Sequence, residues 1–228
     1  MTLDYDEKAR ASRPREVELL PAHDPSNWTK HFEPMLREPH VHLANTFRNQ
    51  YLLLYYLLLL PEGRFLEVGC GTARTSVLLQ RLRPTCEVIA SDVEDQVCKL
   101  ARNYIALCGS NVPVVHTDAV TLPYPGDHFI ATFSQGLLEH YDDSWINRYL
   151  DEQLRVAQFT LMSLPTAHHY MIARQYGDER KLFPADWLEI FRGRNLIEIH
   201  TQGEPGEEHG LLCMIARRKK WTVSSTGR

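Results

Sequence analysis

The sequence predicts an α/β fold in which a seven-stranded, mostly parallel sheet is covered by helices on both faces. Three observations predict it. Short apolar runs alternate with longer amphipathic segments from residue 61 onward. The first of these runs breaks sharply at two glycines before a helix begins. The last two runs are joined only by the polar loop 202–209, which holds no crossover helix, so they pair antiparallel as a hairpin.

The elements follow in order. Residues 1–40 are polar and broken by Pro14, Pro21, Pro25, Pro34 and Pro39, which fits short helical pieces separated by turns. Neither proline nor glycine interrupts 41–60, where helix formers accumulate, and Pro61-Glu62-Gly63 stops the helix expected there. Strands are expected at 64–68, 87–91, 112–117, 129–134, 156–164, 196–201 and 211–216. Helices are expected at 73–83, 94–107, 142–155 and 184–191. The chain then divides into a helical cap at 1–60, a sheet domain at 61–219 and a tail at 220–228, with no internal repeat.

Composition bounds the function without naming it. Of 228 residues 43% are hydrophobic and 24% charged, the usage of an ordinary globular domain rather than a disordered or collagen-like chain. Lys plus Arg number 25 against 29 Asp plus Glu, a net charge of −4, which lacks the basic surplus of a nucleic-acid binder. The five cysteines, an odd number, form no CxxC pair, so the pattern supports neither a disulfide framework nor a zinc site and suits a reducing, cytoplasmic setting. The start, with charges of both signs, has no apolar stretch of a signal peptide. The greasiest run, 51–60, is half the roughly 20 residues a membrane span needs, so no membrane partner is expected.

The sharpest local signal is Phe65-Leu-Glu-Val-Gly-Cys-Gly-Thr-Ala73. Gly69 and Gly71 let the backbone take positive φ and approach a ligand at the carboxyl end of a strand, where open α/β sheets bind ligands. A dinucleotide fingerprint, GxGxxG or GxGxxA, fails because its last position falls on Arg74, and no GxxxxGK[ST] loop occurs. An acid does follow: Asp92, twenty-one positions after Gly71, ends the second strand where its carboxylate can accept from both ribose hydroxyls. Asp118 ends the third strand within reach of an adenine amino group. Phe133-Ser-Gln-Gly-Leu-Leu-Glu-His140 leaves the fourth strand over the same position.

In these residues the sequence resembles the class I S-adenosylmethionine-dependent methyltransferases, over roughly 61–219. The resemblance rests on Glu67-Val-Gly-Cys-Gly-Thr-Ala73, Ser91-Asp92, Thr117-Asp118-Ala119 and Ser134-Gln-Gly-Leu-Leu-Glu-His140 occurring in that order. It implies a Rossmann-like three-layer sandwich, S-adenosylmethionine as cofactor and S-adenosylhomocysteine as product. The cofactor contacts it implies are Glu67, Gly69, Cys70, Gly71, Asp92, Val93, Asp118, Ala119, Ser134, Gln135 and Gly136. One departure is Ala73, where the family usually has a third glycine.

Motifs after the fourth strand narrow the acceptor. The family's nucleic-acid amino-methyltransferases use [DNS]PP[YF] there; this chain has Ser134-Gln-Gly-Leu137. The metal-dependent catechol type needs an Asp-Asn pair after the fifth strand, where this chain reads Leu164-Pro-Thr-Ala167, so no metal is expected. The acidic double-E loop of protein-arginine enzymes is also missing. A small molecule methylated on oxygen, nitrogen or carbon remains, with a protein or peptide acceptor and a catalytically silent partner protein as alternatives. His140 is the candidate base. Trp28, His31, Tyr141, His168 and His169 are candidate substrate contacts, and the aromatic-rich 28–47 segment is expected to close over the site as a lid.

Overall fold

The computed structural model describes residues 25–168, 179–180, 182–203 and 210–217. Its sheet has seven strands: β1 (Arg64–Val68), β2 (Glu87–Asp92), β3 (Val114–His116), β4 (Phe129–Gln135), β5 (Ala157–Pro165), β6 (Leu196–Gln202) and β7 (Gly210–Ala216). The order is β3-β2-β1-β4-β5-β7-β6, parallel except for β7, which runs antiparallel to both β5 and β6. This is the Rossmann-like sheet with a terminal hairpin that the sequence predicts.

Alternation along the strands sorts the core. In β5, Phe159 and Leu161 face one side while Met162 and Leu164 face the other, and in β7 Leu212 and Met214 oppose Leu211, Cys213 and Ile215. On one side α1 (Pro25–Phe32) packs against α5 (Asp95–Leu107), which together with α2 (Pro39–Asn49), α3 (Tyr51–Leu59) and α4 (Arg74–Leu82) covers the sheet. The other is covered by α6 (Asp143–Val156) and α7 (Pro184–Ile190), through Ile146, Tyr149, Leu150, Trp187 and Phe191. Strands buried on both faces read as continuous apolar runs, which is why β1 and β7 stand out in the sequence. The tail at 220–228 lies outside the described residues.

The long helix expected over 41–60 is two helices. Gln50, at φ −117 and ψ 24, is where α2 ends and α3 begins. No glycine or proline marks the break; the side-chain amide of Gln202, at the end of β6, donates to the carbonyl of Asn49 and replaces a helical partner there. The α3 helix ends as expected, with Leu60 extended before Pro61. The third strand shrinks to three residues because Pro113 has no N–H to give; its carbonyl still accepts from Ala90 at 2.9 Å.

Leu57 on α3 is fully buried, among Phe65, Phe133 and Leu161 in the layer that joins the helical cap to the sheet. Leu57→Ala is expected to lower the unfolding free energy by about 2–5 kcal/mol in urea titration, with an unchanged m-value.

Candidate cofactor and acceptor site

A cavity of about 270 Å³ opens at the carboxyl ends of the parallel strands. Its floor is the loop after β1. Gly69, Gly71 and Ala73 all adopt positive φ, at 65, 54 and 58 degrees, so the chain doubles back three times within five residues. A Cβ at Gly69 would come 2.7 Å from the Leu137 side chain, and one at Gly71 2.4 Å from the ring of Phe32. The left-handed dihedrals favour glycine at both positions, and an added side chain would also have to displace Leu137 or Phe32. Ala73 holds the same left-handed conformation with a methyl that packs against Val77 and Ala101, at an expense of roughly 1–2 kcal/mol of backbone strain.

Two carboxylates brace this loop. Asp92 Oδ2 accepts from the Gly71 amide at 3.1 Å and Oδ1 from the Glu94 amide at 3.1 Å. A carboxylate offers about four acceptor positions, so capacity remains for hydroxyls presented from the cavity. Burial pushes the Asp92 carboxyl up, against the pull of these amide donors. Glu67 lies beneath the loop, where its Oε2 accepts from the Ser76 amide at 3.0 Å and the Ser76 hydroxyl at 2.6 Å. Burial raises its carboxyl to about 7 despite those bonds.

The sequence-derived residues divide. Glu67, Gly69, Cys70, Gly71, Asp92, Val93, Gln135 and Gly136 line the cavity, as do Trp28, His31, His140 and Tyr141. Asp118 is exposed and accepts from the Val120 amide at 3.0 Å, and the Ala119 carbonyl accepts from the Gln153 amide at 2.7 Å; neither is among the lining residues. Ser134 is buried beside Tyr149, since strand alternation turns it away from the face that Gln135 presents. His168 packs against Phe183 outside the cavity, at 5.2 Å between ring centroids, and His169 lies outside the described residues. Among the described residues no group of three or more His, Cys, Asp or Glu side chains is placed to hold a metal ion.

The cap supplies the roof. Trp28 stacks on Phe32 at 6.0 Å and meets His140 edge-on at 4.8 Å, which joins α1 to the turn after β4. His31 is pushed down to about 4, first by burial and then by the charges of Arg74 and His42, so its imidazole is neutral at pH 7. His140 Nε2 lies 3.8 Å from Glu139 Oε1. Tyr141 stacks on Trp145 at 3.6 Å, and Arg180 clamps this turn by donating to the Tyr141 carbonyl at 2.9 Å and pairing with Asp143 at 2.7 Å. Phe32, Gln50, Arg74 and Glu139 also line the cavity and were not singled out as ligand contacts from the sequence. Only the aromatic spacing of Trp28 and Phe32 hints at one of them.

Comparison with known proteins agrees with this geometry. Residues 65–158 match the family described as methyltransferase domain. Those residues carry a methyltransferase domain. The chain is 33% identical over 90 residues to a ubiquinone/menaquinone biosynthesis C-methyltransferase of Ectopseudomonas mendocina, covering 37% of this chain and 35% of that protein. It is 26% identical over 170 residues to a chloroplastic 2-methyl-6-phytyl-1,4-hydroquinone methyltransferase of Oryza sativa subsp. japonica, covering 69% of this chain and 50% of that protein. The matches thus span between a third and a half of those relatives. In fold the chain is similar to a protein of Pyrococcus horikoshii OT3, with a TM-score of 0.64, 17% identity and coverage of 77% and 91%. It is also similar to magnesium protoporphyrin IX methyltransferase of Synechocystis PCC 6803, solved with bound S-adenosylmethionine, with a TM-score of 0.56, 15% identity and coverage of 95% and 92%.

The raised Glu67 carboxyl makes stability depend on pH. A carboxyl near 7 in the folded state and near 4.5 in the unfolded state binds more protons when folded across that window. Stability is therefore full below about 4.5 and falls as pH rises to about 7, by at most about 1.4 kcal/mol per pH unit. Glu67→Gln removes this contribution. Its urea midpoint should fall less than that of the wild type between pH 5 and 7.5, and parallel curves would refute the assignment.

Proposed function

We propose that this chain transfers a methyl group from S-adenosylmethionine to an oxygen, nitrogen or carbon nucleophile of a small molecule, in a cavity lidded by its N-terminal helices. The observation that carries the reading is the Asp92 carboxylate, fixed by the Gly71 amide beside a glycine loop and still open to a ligand's hydroxyls. The residues present fit this cofactor. Asp92 would hold the ribose, and the left-handed turns at Gly69 and Gly71 bring the loop backbone to the floor of the cavity beside it. S-Adenosylmethionine, when bound, supplies a methyl group made electrophilic by a sulfonium. The solved relative with that cofactor and the quinone-directed enzymes among the sequence relatives support both the donor and a small acceptor.

The chain's own part is alignment, dryness and proton handling. Well-oriented reactants recover roughly 7–11 kcal/mol of a bimolecular barrier, so a rigid loop and a fixed acceptor pocket supply most of what the reaction needs. Trp28, Phe32 and Tyr141 form an aromatic wall that excludes water. His140, held between Trp28 and Glu139, is the proposed proton acceptor for a nucleophile that must lose a proton. His31, neutral at pH 7, is a substrate contact in the same wall. Asp118, Ala119 and Ser134 would serve at most from the edge of this arrangement, and the small-molecule character of the acceptor rests on the enclosure that α1 and α2 provide.

Calorimetric titration should show binding of S-adenosylmethionine and S-adenosylhomocysteine and none of NAD, and the opposite pattern would sink the proposal. Asp92→Ala should weaken S-adenosylhomocysteine at least tenfold. His140→Asn should lower kcat for an acceptor with a protonated nucleophile by about 10²–10⁴-fold while S-adenosylhomocysteine affinity stays within twofold. Equal loss in both would make His140 a cofactor residue instead.

A further inference from the structure

Gln50 is the residue whose placement the fold explains least. It sits at the break between α2 and α3, where no helix breaker stands in the sequence, and it is only 8% exposed. Its Oε1 is buried and has no hydrogen-bond partner among the described residues, and the side chain lines the cavity. A buried amide oxygen left without a donor is destabilising, so a structure that bends a helix to put one there has provided for a donor from elsewhere. The bend is itself held: Gln202 reaches from the end of β6 to the carbonyl of Asn49, the neighbouring residue.

Gln50 borders the same cavity as Asp92, and its neighbour Asn49 is held from the β6 side of the sheet, where Gln202 ends that strand. Near Gln50 the cavity is lined by Asn49, Leu53, Gln202, Leu211 and Leu212. These side chains carry no charge. Such a wall offers nothing to a phosphate or carboxylate and suits an apolar body that presents one hydrogen-bond donor.

We propose that Gln50 is the acceptor-recognition residue of this site, its Oε1 receiving the O–H of an uncharged, hydroxyl-bearing acceptor whose apolar body lies against Leu53 and Leu212. The inference rests on the methyl-transfer reading and adds to it the substrate class and the residue that selects it. No covalent step is involved; Gln50 positions the acceptor and takes no proton.

The test uses the full chain loaded with S-adenosylhomocysteine and three probes of one shape: hydroquinone, 4-methoxyphenol and 1,4-dimethoxybenzene. Titration followed by ligand-observed NMR should show the two hydroxyl-bearing probes binding and the dimethyl ether binding at least fivefold more weakly. Gln50→Leu should weaken hydroquinone about five- to tenfold and erase the preference, with S-adenosylhomocysteine affinity within twofold as proof of an intact fold. Gln50→Glu, which keeps an acceptor oxygen, should retain the preference. Equal binding of all three probes, binding of none, or a parallel loss of S-adenosylhomocysteine affinity in Gln50→Leu would overturn the proposal. Failure of the wild type to bind S-adenosylhomocysteine would overturn the methyl-transfer reading and this inference with it. Cofactor binding without a hydroxyl preference would overturn this inference alone.

Discussion

The hydrogen bond from the Gly71 amide to the Asp92 carboxylate fixes the geometry on which the site depends. It exists because β1 and β2 pair in parallel with Val68 opposite Ser91, so the chain leaving one strand and the last residue of the other meet at the same height. The Cys70 amide closes the same corner by donating to the Ser91 carbonyl at 2.9 Å. Two backbone donors of a tight turn are thereby satisfied by the neighbouring strand, and the glycine loop is held open as a floor. The cavity, the roof of aromatic side chains and the proposed acceptor wall are all arranged around that floor.

The floor requires an unusual companion in Glu67. A carboxyl sits under the loop in a fully buried position, satisfied by both donors of Ser76, and burial outweighs those donors enough to keep it half protonated near neutrality. The residue ties the end of β1 to the first turn of α4 and sets the angle at which the helix leaves the loop. An apolar residue there would pack, but it would leave the Ser76 amide and hydroxyl in the core without an acceptor.

The cap and the sheet depend on each other. Phe32 lies against Gly71 so closely that any side chain at 71 would displace it, and Trp28 reaches across to His140. Tyr56 on α3 bonds to His200 and, at 3.2 Å, to Glu198 on β6, while Gln202 holds the α2–α3 bend. The edge strand β6 thus anchors the helices beside the cavity, and the hairpin lines that cavity as well as closing the sheet.

Much of this was legible along the chain. Gly69, Gly71, Asp92 and Gln135 are local signals, because a strand that ends in glycines and a second strand that ends in an acid fix which atoms meet once the strands are parallel neighbours. The alternation of strands with helices and the closing hairpin followed from spacing and from the polar loop 202–209, whereas the order of strands in the sheet did not. The bend at Gln50 and the rotation of Ser134 into the core did not, since each involves a partner distant in sequence, Gln202 for the bend and Tyr149 for Ser134; Asp118, by contrast, is taken up locally by the Val120 amide two residues on. By itself the sequence determined the strands, the glycine loop and its acid, all of which rest on periodicity and short-range turn chemistry. Only the tertiary structure decided which side chains form the roof and the acceptor wall. Those positions depend on where helices pack across the sheet, and packing is settled by contacts between residues far apart in the chain.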